Sequence, residues 1–144
     1  MYDIEQLLQE GKTVQIQPQG TSMYPLFIQG RDEAILAPLP KRNIKRGEVV
    51  LFRRPQSILV LHRVVRVSAE GYYFVGDNQC QVEGPIQEKQ LIGIMVGFVR
   101  KGKTYSVSHI GYRLVFGLWH RLLPIRPQIY ALVRRIKKGI SLEK

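Results

Sequence analysis

Cysteine is nearly absent: Cys80 stands alone among 144 residues. One thiol cannot close an internal disulfide, and it removes every cysteine-based zinc site. Acid is scarce as well, with 11 Asp and Glu against 22 Lys and Arg. That deficit is local. Eleven of the bases but only one acid, Glu143, lie from Arg100 onward, so the tail carries +10 and the first 99 residues +1. A basic tail suits nucleic acid, anionic lipid or an acidic partner, and charge alone does not choose among them. Long apolar runs are missing too. The longest spans Leu91 to Val99, far short of the roughly 18 residues that a membrane span requires. Met1-Tyr2-Asp3-Ile4-Glu5 is acidic and lacks the apolar centre of a secretory signal. These absences predict a cytoplasmic or peripherally membrane-associated chain, with no signal peptide and no transmembrane span. No Walker loop, dinucleotide fingerprint or metal-ligand cluster occurs, and no cofactor or metal is expected.

What is present is an ordinary apolar share, 44%, in a chain long enough for one domain with a real core. Asp3 can cap a short helix with Ile4, Leu7 and Leu8 on one face and Gly11 as its stop. Strand-like pieces follow at 13–17, 33–37, 48–52, 58–67, 72–75, 91–100 and 104–107. Gly76 to Lys89 reads as a polar loop. Short strands with Gly and Pro punctuation predict a mostly β, barrel-like antiparallel domain over 1–107. From 108 to 144 the period becomes helical. Tyr112, Val115, Phe116, Trp119, Leu122 and Leu123 recur at helical spacing, as do Ile129, Leu132, Val133 and Ile136, with Pro124 and Pro127 between the two sets. Arg134, Arg135, Lys137 and Lys138 crowd the second. Such a basic amphipathic tail can pack on the β body, on a second copy, or on a membrane surface through Trp119 and its cations.

Three stretches carry candidate chemistry. Ser22 lies in Gly20-Thr21-Ser22-Met23-Tyr24-Pro25, just past a strand, where glycine and proline bend the chain and offer the hydroxyl outward. His62 interrupts the apolar strand Leu61-His62-Arg63-Val64-Val65. Gly76-Asp77-Asn78-Gln79 is a turn signature, with Glu83 six residues beyond Asp77. Together they supply a hydroxyl, an imidazole and two carboxylates, though a lone histidine in an apolar strand is more often a satisfied core residue than a base.

In order and spacing these pieces resemble the signal peptidase I superfamily, which includes the LexA-like self-cleaving peptidases. The likeness runs through the Ser22 box, Arg46-Gly47-Glu48-Val49-Val50-Leu51-Phe52, His62-Arg63-Val64-Val65, Gly76-Asp77-Asn78 and, more weakly, Gln90-Leu91-Ile92-Gly93. It covers roughly residues 13 to 100. The resemblance implies a mostly β catalytic fold and serine hydrolysis of a peptide bond after small side chains. It assigns Ser22 as nucleophile and His62 as general base, as in the endoplasmic-reticulum-type branch, where histidine stands in place of lysine. Histidine titrates near neutral pH without the desolvation that a lysine needs. Asp77 and Glu83 are the two candidates for the acid behind His62. Gly20 occupies a place where signal peptidases often carry a serine, so the oxyanion would rely on backbone N–H groups at Ser22 and a neighbour, with Thr21 a poor side-chain substitute. The membrane anchor usual in signal peptidases is not seen before Ser22, and the tail is the candidate for attachment in its stead.

The expected partner is a peptide or protein precursor. The alternative is a non-catalytic binding module, or a LexA-like regulator, whose tail contacts nucleic acid or a partner. Remaining candidates are read as structural. His109 and His120 are surface or packing residues, and Cys80 has no base of its own. Lys41, Arg42, Lys45, Arg46, Arg53 and Arg54 cover a solvated face, and Arg63 has a structural role.

Overall fold

The computed structural model describes residues 3–24 and 26–142. Pro25 of the serine turn, Met1 and Tyr2 of the acidic start, and Glu143 of the tail lie outside them. The chain opens with α1 (Ile4–Gln9), where the Asp3 carboxylate accepts from the Glu5 N–H at 3.0 Å. Gly11 follows at φ +84°, a left-handed conformation that ends a helix cheaply.

Eight strands then form one antiparallel sheet: β1 (Val14–Ile16), β2 (Asp32–Ala37), β3 (Val49–Arg53), β4 (Leu59–Ser68), β5 (Gly71–Val75), β6 (Glu83–Ile86), β7 (Leu91–Arg100) and β8 (Lys103–Ser106). Their order is β1-β2-β7-β3-β4-β5-β6, with β8 also on β7. The fold is mostly β, as the sequence predicts. The barrel-like closure is not found: among the described residues no pairing joins β1 to β6, and the sheet stays open.

The 76–89 stretch also departs from expectation. It holds β6 and a 3-10 turn at Glu88–Gln90 instead of loop alone. Glu83-Gly84-Pro85-Ile86 has no alternation to betray a strand. Its pairing with β5, Tyr72 against Ile86 and Phe74 against Glu83, comes from tertiary context.

Both faces of the sheet are covered. Val49 and Leu51 join a core with Leu8, Met23, Phe27 and Phe98, while Val50 and Phe52 join a second with Val64, Phe74 and Ile94. Two buried faces explain why β3 reads as a continuous apolar run instead of an alternating one. The period of two has a further consequence at β4. His62 pairs with Val50 and Arg63 with Val49, so these neighbours are sent to opposite faces.

After the sheet come α2 (Ile110–Arg121), a 3-10 turn (Leu123–Ile125) and α3 (Arg126–Leu142). Tyr112 and Phe116 of α2 pack against the first core, Tyr112 lying 5.9 Å from Phe98 between ring centroids. The first tail helix is therefore docked on the β domain. Val115, Leu132, Val133 and Ile136, which share helical spacing with the docked residues, are instead exposed. No helix among the described residues is long and apolar enough to cross a membrane.

Candidate active site

The serine turn is built by backbone hydrogen bonds, Tyr24 N–H to the Thr21 carbonyl at 3.1 Å and Phe27 N–H to the Met23 carbonyl at 2.9 Å. Gly20 enters it at φ +79°. Met23 and Phe27 bury their side chains in the core, which leaves Ser22 half-buried and Thr21 exposed. A second turn is clamped onto this one. Asn78 N–H donates to the Ser22 carbonyl at 2.8 Å, and a Cβ on Gly76 would come within 2.5 Å of that same oxygen. Glycine at 76 is thus a condition of the close approach between the serine turn and the Gly-Asp-Asn turn.

His62, buried at 3% exposure, lines the same cleft of about 360 Å³ as Ser22. Ile16, Phe27, Leu51 and Leu61 are among its apolar lining residues, and Gln17, Gln19, Arg54 and Gln79 among its polar ones. The Ser22 hydroxyl makes no hydrogen bond to His62 among the described residues.

The two candidate acids have different surroundings. Glu83, on β6, places Oε1 3.4 Å from His62 Nδ1, just outside hydrogen-bond geometry. Arg54 holds that carboxylate with two bonds, Nε to Oε2 at 3.0 Å and Nη2 to Oε1 at 2.6 Å. Asp77 is fully buried and is taken by Arg63 instead, through a fork of two 2.7 Å bonds. Arg63 also donates to the Gly47 carbonyl at 2.9 Å and to the Tyr112 hydroxyl at 3.0 Å. Of the two acids, only Glu83 faces the imidazole. The opposed directions of His62 and Arg63 along β4 are the reason.

Electrostatics follow from these contacts. Burial pushes the His62 pKa below the ordinary 6.5, Arg54 pushes the same way, and Glu83 only partly offsets them. Burial alone would raise Glu83, yet the Arg54 hydrogen bonds and charge hold it below the ordinary carboxylate value. At neutral pH the pair is therefore a neutral imidazole beside a carboxylate anion. An anion facing Nδ1 favours the tautomer with the proton there, which leaves the lone pair on Nε2.

The tail reaches this site. Trp119 donates its indole N–H to the Asp77 carbonyl at 2.5 Å. Arg126, fully buried, donates to the carbonyls of Gly76 at 3.3 Å and Gln79 at 3.0 Å, and its guanidinium stacks over the Trp119 ring at 4.7 Å. Trp119 is thus turned into the protein instead of outward. His120 is also buried, accepting from Arg46 Nε at 2.9 Å. The solvated-face expectation fails in part for Arg53 and Arg54, which are half-buried and pair with Glu5 and Glu83, whereas Arg46 is exposed while also bonding His120. The others keep to it more closely: Lys41, Arg42 and Lys45 are exposed, though Arg42 pairs with Glu48 at 2.5 Å. His109 caps α2 by accepting from the Gly111 N–H at 3.1 Å, and Cys80 is exposed.

Sequence reasoning missed Arg54, Trp119 and Arg126 as parts of this neighbourhood. None sits in a motif, and the only signals were a lone Trp and an Arg placed before Pro127 among apolar neighbours. No group of three or more His, Cys, Asp or Glu side chains able to hold a metal occurs among the described residues. No protein-family model matches the chain, and no curated protein matches it in sequence.

Proposed function

We propose that the chain is a serine endopeptidase of the signal peptidase I type, with Ser22 as nucleophile, His62 as general base and Glu83 behind the base. The observation that carries this is the joint lining of one cleft by Ser22 and a neutral, buried His62 whose Nδ1 edge faces an arginine-held carboxylate. Ser22 Oγ attacks the scissile carbonyl carbon while His62 Nε2 takes the hydroxyl proton. The tetrahedral oxyanion is met by backbone N–H groups at the serine turn. As it collapses, His62 returns the proton to the leaving amine and an acyl ester remains on Ser22. Water then attacks the ester, His62 accepts its proton, and the carboxyl product leaves as Ser22 regains its hydrogen. General-base assistance of this kind contributes roughly 10² to 10⁴ in rate.

The cleft also suits an extended peptide. It is bordered by Ile16 at the end of β1 and by Gln17 to Gly20, and β1 is an edge strand paired only with β2. An open strand edge beside apolar pockets recognises main chain by hydrogen bonds and side chains by fit. Substrates are then precursor peptides cut after a small residue, as the resemblance to signal peptidases implies. The test is cleavage of a precursor peptide bearing a small-residue site by the wild-type, Ser22→Ala and His62→Ala chains. Loss in both variants, with circular dichroism unchanged, is expected. Cutting at the same bond by both variants would refute the proposal and leave a non-catalytic binding module.

A further inference from the structure

The tail has two apolar faces, and only one is used. On α2 the aromatic residues Tyr112, Phe116 and Trp119 turn to the protein, while Ile110, Leu114, Val115 and Leu118 stand 60% to 72% exposed on the other side. On α3, Leu132, Val133, Ile136 and Ile140 form a stripe at helical spacing that is 42% to 58% exposed. Eight large aliphatic side chains left in water on two consecutive helices exceed the scattered exposure usual in a monomer. Arg134, Arg135, Lys137 and Lys138 occupy the rest of the α3 circumference, and neither helix contains an acid.

We infer that the outer faces of α2 and α3 seat this protein on an anionic lipid bilayer, lying on it without crossing it. The choice of occupant follows from charge. A second copy apposed through the same helices would bring cations against cations with no carboxylate in either helix to offset them. Nucleic acid would satisfy the cations and leave the aliphatic stripe in water. An anionic bilayer meets both, taking the stripe among its acyl chains and the Lys and Arg side chains at its headgroups. The inward turn of Trp119 makes the contact aliphatic, and it leaves the docked aromatic face undisturbed when the outer face binds.

The test is sedimentation of the full chain with vesicles of phosphatidylcholine alone or mixed with phosphatidylglycerol. The protein is expected to pellet with the mixed vesicles, not with phosphatidylcholine, and less so as salt rises. Leu132→Ser with Ile136→Ser is expected to weaken binding at least ~10-fold, with thermal midpoint unchanged because both side chains are exposed. Lys137→Glu with Lys138→Glu is expected to weaken it ~10-fold or more. Absence of pelleting with the mixed vesicles overturns the inference. So does binding that ignores the two serines and is fully competed by duplex DNA, which would assign the tail to nucleic acid. A dimer by light scattering that the two serines convert to monomer would assign the stripe to a second copy. Vesicle binding needs no peptide cleavage, so Ser22→Ala should bind like wild type, and the inference stands or falls separately from the peptidase proposal.

Discussion

Replacing Glu83 by Gln removes the charge facing His62 while keeping the side-chain volume and an acceptor for Arg54. Because Glu83 raises the His62 pKa and Arg54 lowers it, the variant should lose protonation at lower pH than wild type does. Burial and Arg54 already hold His62 below 6.5, and without the Glu83 charge the acid limb of kcat/KM should move further down in pH. The rate on the plateau should fall ~10- to 100-fold. A fall in rate without any movement of the limb would mean that Glu83 only packs. Asp77→Asn should behave differently. It leaves the Arg63 guanidinium buried without its carboxylate, a change that costs roughly 3 to 5 kcal/mol in comparable buried pairs. Urea unfolding should show the loss, and a midpoint within experimental error of wild type would contradict the role given to the pair.

At the scale of elements, the tail and the serine turn are coupled through the 76–79 turn. Trp119 and Arg126 bond its carbonyls from one side, and Asn78 bonds the Ser22 carbonyl from the other. Trp119→Phe keeps an aromatic ring and deletes the indole donor; Arg126→Lys keeps the charge and deletes the fork. Each should lower kcat ~10-fold with KM little changed, since a small displacement of a reacting group is enough. The amide of Asn78 should exchange its hydrogen faster in both variants, a local signature that general loss of stability would not confine to this turn. The strands were legible because most of them are apolar runs bounded by Gly and Pro. β6 was not, because Glu83 to Ile86 contains a Gly and a Pro and owes its strand to the partner it meets. Helical spacing located α2 and α3, but a periodicity with apolar residues on two sides of α2 does not say which side docks. The body offered an aromatic-lined surface beside Phe98 and Arg63, and the aromatic side took it.

The whole molecule carries two buried, neutral histidines. Burial, followed by the charges of Arg46, Arg63 and Arg126, drives the pKa of His120 from 6.5 to about 4, and that of His62 is lowered as well. The unfolded chain therefore binds more protons than the folded one between about 6.5 and 4, so stability falls as the pH falls through that window. The contribution from His120 is on the order of 1 to 3 kcal/mol. Thermal midpoints taken from pH 7 to pH 4 should show the decline, and His120→Gln should flatten it; a midpoint rising with acid would contradict the assignment. His120 was legible only as a tail histidine, since nothing local in the sequence announces that Arg46 lies 74 positions away in the chain and 2.9 Å away in space. The candidate pair was more legible, because the serine turn and the histidine strand occur in a spacing that the fold brings to one cleft, with Gln79 beside them. Which acid faced the imidazole was not, as that depended on the alternation of β4 and on β6.

The central claim is that His62 makes Ser22 a nucleophile, and covalent labelling reads this directly. A fluorophosphonate should attach one phosphonyl group to the full chain, mapped by mass spectrometry to Ser22. Labelling should slow by ~10² or more in His62→Ala. Modification at another residue, or an unchanged rate at Ser22 without the imidazole, would contradict the account.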